Sequence, residues 1–93
     1  MSSRRWQVVI ASPAARDLDR LPMKIAAAAL EAIHSVATNP RRMGKPLHLE
    51  LKGQWSARRG PYRIIYSIDD STDTIIVTAI AHRADAYRRA RRG

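Results

Sequence analysis

The sequence has no cysteine and no phenylalanine, and aromatic residues make up only 5% of it. Without thiols the chain can form neither disulfides nor a thiolate metal site. That suits a reducing cytoplasm, which is where we expect the protein to act. Acidic side chains are scarce: Asp and Glu number 8 against 17 Lys and Arg, a net charge of +9 with neutral histidines. Such an excess favours anionic partners: nucleic acid, an anionic membrane surface or an acidic protein. Long apolar runs are missing as well. The longest, Ile25 to Leu30, is far too short to span a bilayer. The opening Met1-Ser2-Ser3-Arg4-Arg5-Trp6 leads into an alternating segment rather than the hydrophobic core of a signal peptide. No membrane partner is expected.

What is present describes one domain over residues 1–93, because 93 residues leave no room for a second core. The apolar share of 45% leans on alanine, so that core should be small. Trp6 to Ala11 alternates like a short strand. Ser12-Pro13 reads as a helix start, with Ser12 as the cap and Pro13 in the first helical position. Ala14, Leu18 and Leu21 then mark one helical face. Pro22 restarts the chain as a second helix, with Ile25, Ala29, Ile33 and Val36 at helical spacing, and Asn39-Pro40 ends it. Arg41 to Gly53 is a basic, half-ordered connection in which Leu47, Leu49 and Leu51 alternate. Three strands follow: Gln54 to Arg59, Tyr62 to Ile68 and Thr74 to His82, separated by turns at Gly60-Pro61 and Asp69-Asp70-Ser71. The tail from Arg83 is a short helix or a loose basic arm. The expected class is α+β in the order β-α-α-β-β-β: an N-terminal strand, an αα-hairpin and three antiparallel strands. One sheet face packs on the hairpin and the other stays available.

On the middle strand, Tyr62, Ile64, Tyr66 and Ile68 share the better core face, which leaves Arg63 on the other. Arg63 is then either a solvated surface arginine or part of a phosphate clamp. Arg58 or Arg59 and the pair His82-Arg83 arrive from neighbouring strands at similar height, and clustered guanidinium groups bind phosphate bidentately. His34 and His48 have no second ligand at metal spacing, so no metal or cofactor is expected. Asp69 and Asp70 suit a turn, and Asp17 and Asp19 offset arginines of the first helix. No nucleophile elbow, P-loop or dinucleotide fingerprint occurs. A basic face with Tyr87, His82 and several arginines could cleave RNA without a metal: a base takes the 2′-hydroxyl proton, an acid protonates the leaving oxygen, and cations stabilise the charge between them. A tyrosine serves as such a base only where neighbouring cations favour its phenolate. Tyr87 is equally readable as an anchor that docks the tail on the sheet.

Taken in order, these residues resemble the RelE/ParE superfamily of toxins from type II toxin–antitoxin pairs. The resemblance runs through Ser12-Pro13-Ala14-Ala15-Arg16-Asp17-Leu18, Leu21-Pro22, Asn39-Pro40, Lys45-Pro46-Leu47, Leu51-Lys52-Gly53, Trp55-Ser56-Ala57-Arg58, Tyr62-Arg63-Ile64-Ile65-Tyr66 and His82-Arg83 with Tyr87. It implies the microbial-ribonuclease-like RelE fold. It also implies one of two targets: mRNA cut in the ribosomal A site, as in the RelE branch, or DNA gyrase inhibited without catalysis, as in the ParE branch. On the first, Arg63 would bind the scissile phosphate, Arg83 would stabilise or protonate the leaving group, and Tyr87 would be the base, with His82 able to share the acid–base work. Arg58, Arg59, Lys52, Arg88 and Arg89 are the further candidates for holding RNA. The chain departs from the RelE pattern where that pattern has a pair of lysines before the turn and this sequence has Ser56 and Ala57. The resemblance further implies a cognate acidic, RelB-like antitoxin, and a basic face is a natural dock for an acidic amphipathic helix. We expect a monomeric free chain, higher assemblies built through the antitoxin, and a ribosome-dependent mRNA endoribonuclease that arrests translation.

Overall fold

A computed structural model describes residues 5–92; the opening stretch inspected above for a signal peptide lies largely outside them. Strand β1 (Gln7–Ile10) runs into helix α1 (Ser12–Arg20), and α2 (Met23–Thr38) follows after only Leu21 and Pro22. A four-residue helix α3 (Pro40–Met43), a two-residue strand β2 (Lys45–Pro46) and a 3-10 turn at Leu49–Leu51 fill the basic connection. Then come β3 (Gln54–Arg59), β4 (Tyr62–Asp69), β5 (Thr74–His82) and helix α4 (Ala86–Arg92). The expected order is present, and the connection and the tail are more ordered than the sequence suggested. The strands form one sheet in the order β1-β5-β4-β3-β2. β3, β4 and β5 are antiparallel as expected, whereas β1 pairs with β5 in parallel, because the αα-hairpin carries the chain back over the sheet.

Several local expectations change for clear reasons. The cap of α1 is Ala11, not Ser12, since Ala11 leaves the strand by donating its N–H to the Val77 carbonyl at 2.9 Å and Ser12 is already helical. At the far end of α2, Asn39 stops the helix and starts the next: its side chain accepts the Arg42 N–H, and Pro40 takes the first helical position, where no donor is needed. The leucine alternation from Leu47 to Leu51 is not a strand. Leu47 and Leu51 are buried, but Leu49 sits in the 3-10 turn with φ of +56° and points to solvent.

Each sheet face has its own apolar cluster. Ile64, Tyr66, Ile75, Val77 and Ile80 pack under Ala14, Ala29, Ile33 and Val36 of the helical hairpin. On the opposite face Ile65 and Ala79 meet Leu47, Leu51 and the small residues Ala86 and Ala90 of α4. That second face is therefore only half open: the tail helix lies on part of it. A bulge sets the phase between faces. Ile65 pairs with Ala79 and Tyr66 with Val77, so Thr78 is the extra residue on β5. Before it the odd-numbered Ile75 and Val77 face the hairpin; after it the even-numbered Ile80 does.

Among the described glycines, only Gly44 is closely approached by its surroundings. A Cβ built there would lie 2.2 Å from the Tyr66 hydroxyl, which donates to the Pro40 carbonyl across the same gap. We expect Gly44→Ala to lower stability by about 1–3 kcal/mol, as over-packing does, measured by urea unfolding. Burial pushes the Tyr66 phenol up to about 12 from an ordinary value of 10.0. The folded chain then keeps this proton at a pH where the unfolded chain has released it. Stability from this group should be intact below pH 10 and lost as pH rises through 12, and alkaline unfolding of Tyr66→Phe should lack that component.

Candidate nucleic-acid interface

A cleft of about 650 Å³ opens on the half-covered face, between β2, β3, β4 and the start of α4. Its walls carry Lys45, Arg58, Arg63, Arg83, His48 and Tyr87, with Ile65 and Leu47 in the floor. Register explains the convergence. Arg58 and Arg63 are direct cross-strand partners on the face that also carries Ile65. The Gly60-Pro61 turn joins their strands with Gly60 at φ of +58°, a conformation glycine adopts freely. Arg63 is half-buried, and one of its terminal nitrogens donates to the carbonyls of Gly60 and Tyr62, at 3.2 and 3.1 Å. That fixes the guanidinium while leaving its other donors for a ligand. The Thr78 bulge puts Arg83 in phase with Ala79 and Ala81 on the cleft side, and its N–H binds the Pro61 carbonyl at 2.8 Å. Tyr87 sits in the first turn of α4 and is 63% exposed.

The other candidates lie elsewhere. His82 is opposite Tyr62 on the hairpin face, in edge-to-face contact at 5.8 Å, and its Nδ1 accepts the Ala84 N–H. The bulge that brings Arg83 in turns His82 out. Arg59, one residue past Arg58, points the other way to Glu31 at 3.2 Å. Lys52 is exposed beyond the 3-10 turn, away from the cleft lining. Arg88 pairs with Asp85 at 2.6 Å, and Arg89 with Asp17 at 2.7 Å. Lys45 and His48 are cleft residues that the sequence did not mark as site candidates; the available signal was that Lys45 keeps phase with the buried Leu47.

Charge is sorted in this structure. Arg41, Arg59, Arg88, Arg89 and Arg91, all outside the cleft, each hold a carboxylate. Among the described residues, no carboxylate lines the cleft itself. Like charges directly opposite each other on a sheet repel, so the Arg58–Arg63 pair is a cost to the fold unless an anion lies between them. The chemistry offered is that of a phosphate clamp with a phenol beside it.

The sequence family described as the ParE toxin of type II toxin–antitoxin systems, parDE, matches residues 8–87. The chain belongs to the RelE/ParE superfamily of toxins. Among curated relatives it is 49% identical to Toxin RelE of Mycobacterium tuberculosis, over 89% of this chain and 87% of that one. It is 47% identical to Toxin RelG of the same organism, over 90% of this chain and 98% of that one. The fold matches the crystal structure of the toxin–antitoxin complex RelBE2 from M. tuberculosis with a TM-score of 0.83 and 42% identity, covering 90% of this chain and 98% of that one. The protein is thus a RelE-like toxin with the α+β fold of that family.

Helix α4 reaches the cleft only because it is tied down. Asp17, 7% exposed on α1, accepts the Ile80 backbone N–H at 2.9 Å and the Arg89 guanidinium at 2.7 Å. Removing one partner of such a buried pair strands the other. Asp17→Ala should cost about 3 kcal/mol in urea unfolding, and adding Arg89→Met should recover only part of that loss, because the Ile80 N–H stays unpaired.

Proposed function

We propose that this toxin is a ribosome-dependent mRNA endoribonuclease, neutralised by a cognate antitoxin. The observation that carries it is the opposed pair Arg58 and Arg63 in a cleft without carboxylates, with Arg83 and Tyr87 on its rim. In this mechanism the scissile phosphate lies on Arg63 and Arg58, which balance the charge gathered on its oxygens as the transition state forms. Tyr87 is the base that takes the proton of the 2′-hydroxyl. The freed 2′-oxygen bonds to phosphorus as the bond from phosphorus to the 5′-oxygen breaks. Arg83 stabilises the departing 5′-oxygen, which takes a proton from water, and the upstream fragment retains a 2′,3′-cyclic phosphate. His82 has no part in it, being on the far face. The names of the curated relatives, Toxin RelE and Toxin RelG, support the RelE branch.

An antitoxin partner is supported by the related complex RelBE2, in which a toxin of this fold is bound. An acidic helix or strand laid over the cleft would supply the carboxylates it lacks. The action would take place in the cytoplasm, where translating ribosomes are. A second function, non-catalytic inhibition of DNA gyrase, is favoured by one finding, the ParE description of the matching family. No phenol would be required for it.

Primer extension on a message translated by purified ribosomes separates the two. Wild-type chain should produce cuts within codons; Arg63→Ala and Tyr87→Phe should each lower the rate at least about 100-fold, the range for loss of an electrostatic clamp or a general base. Intact message alongside inhibited gyrase supercoiling would replace the nuclease with the second function.

A further inference from the structure

The cleft holds more cation than one phosphate needs, and the excess is ordered. On β3, Ser56 lies two residues before Arg58 and on the same face, so the two positions are about 7 Å apart along the strand. Directly opposite Ser56, across the antiparallel pairing, is Lys45 of β2. Besides Arg83, the cleft therefore carries two cross-strand rows: the cations Arg58 and Arg63, and, one step away, Lys45 with the hydroxyl of Ser56. The second row is fixed by the sheet. Pro46, next to Lys45, pairs with Trp55, which stacks on the buried Tyr66 on the opposite face, and the Leu47 N–H binds the Gln54 carbonyl at 2.8 Å. Lys45 is exposed, lines the cleft, and has no ion pair among the described residues. Ser56 is small enough to leave room above itself and brings a hydroxyl donor. His48 lines the same cleft.

We propose that Lys45 and Ser56 form a second phosphate subsite, which holds the phosphate adjacent to the scissile one. It rests on the nuclease function above and adds to it a grip on one flanking nucleotide. One step of two residues on a strand matches the advance of one nucleotide along an extended backbone. Lysine is a point charge that holds a phosphate without demanding the bidentate geometry of arginine. A subsite of this kind sets the register of the message across Arg63.

The test uses ribosomes programmed with messages in which one linkage flanking the cut is a methylphosphonate, the same shape without its charge. With unmodified message, Lys45→Ala should raise the half-saturating concentration about tenfold and leave the maximal rate nearly unchanged, as expected for one charged hydrogen bond made equally before and during reaction. Lys45→Arg should restore it. Methylphosphonate on one flank should cost the wild-type chain the same tenfold and cost Lys45→Ala nothing further, while the other flank should affect both chains alike. Equal losses for both chains on both flanks, or a Lys45→Ala chain with wild-type half-saturation, would overturn the second subsite alone. A wild-type chain that leaves every message intact would overturn the nuclease function and this subsite together.

Discussion

Where β1 stops pairing, at Ile10 opposite Val77, β5 continues to His82 with no strand on that side. The Ile80 N–H points into this gap. A strand edge with an unmet donor beside a closed core is costly. Asp17 fills the gap from α1, and its carboxylate then attracts Arg89 from α4 on the opposite face of the sheet. One buried group thus clasps two layers around an open edge. The consequence for function is direct, because α4 also carries Tyr87. Among the described residues only Ala86 and Ala90 anchor that helix apolarly, and such small side chains bury little surface. The clasp, a hydrogen bond from Gln54 to the Ala90 carbonyl and the Arg91–Glu50 pair supply the rest. A phenol on a seven-residue helix holds its place over the cleft through contacts made about one turn further on.

The second constraint is the phase of β5. A strand has two faces, and one inserted residue exchanges them for everything downstream. Thr78 is that residue, and its hydroxyl bonds to the Ile65 carbonyl at 3.3 Å beside the irregularity. Through it Ile75 and Val77 serve the hairpin core while Ala79 and Ala81 floor the other face, small enough to admit α4. Arg83 inherits the cleft side. Had the strand run without a bulge, His82 would share the cleft and Arg83 would stand over the helices. The choice between a histidine and an arginine as the site's partner for Tyr87 is made five residues upstream of Arg83, by backbone geometry.

This explains how much the sequence disclosed. The meander of β3, β4 and β5 was legible because its signals are local: the Gly60-Pro61 turn, the aspartates before Thr74, and alternation at Tyr62, Ile64 and Tyr66. The αα-hairpin was legible for the same reason. Arg63 could be put on the outer face by counting from that pattern. What escaped needed knowledge of pairing. Arg58 and Arg59 are adjacent, and only the register with Arg63 says which one enters the cleft. Asp17 looked like a surface aspartate among helix arginines, yet its true partner is 72 residues away. Lys45 lies in a two-residue strand whose single trace is its phase with Leu47, and α4 lacks apolar residues larger than alanine on its buried side.

The remaining question is why a small protein would tolerate such a cleft. Among the described residues, Arg41, Arg59, Arg88, Arg89 and Arg91 hold carboxylates, whereas the cleft cations have none in the cleft lining. Concentrating Lys45, Arg58, Arg63 and Arg83 on one half-open face lowers the stability of the free chain through mutual repulsion. The same field gives a polyanion a steep gain on arrival, because each contact relieves repulsion as well as forming a bond. A ligand that answers this arrangement must offer regularly spaced negative charge on a backbone thin enough to lie along two strands. A nucleic-acid strand has that form, and an acidic peptide reproduces its charge. On the function proposed above, the target and the neutralising partner would both answer to this one electrostatic feature.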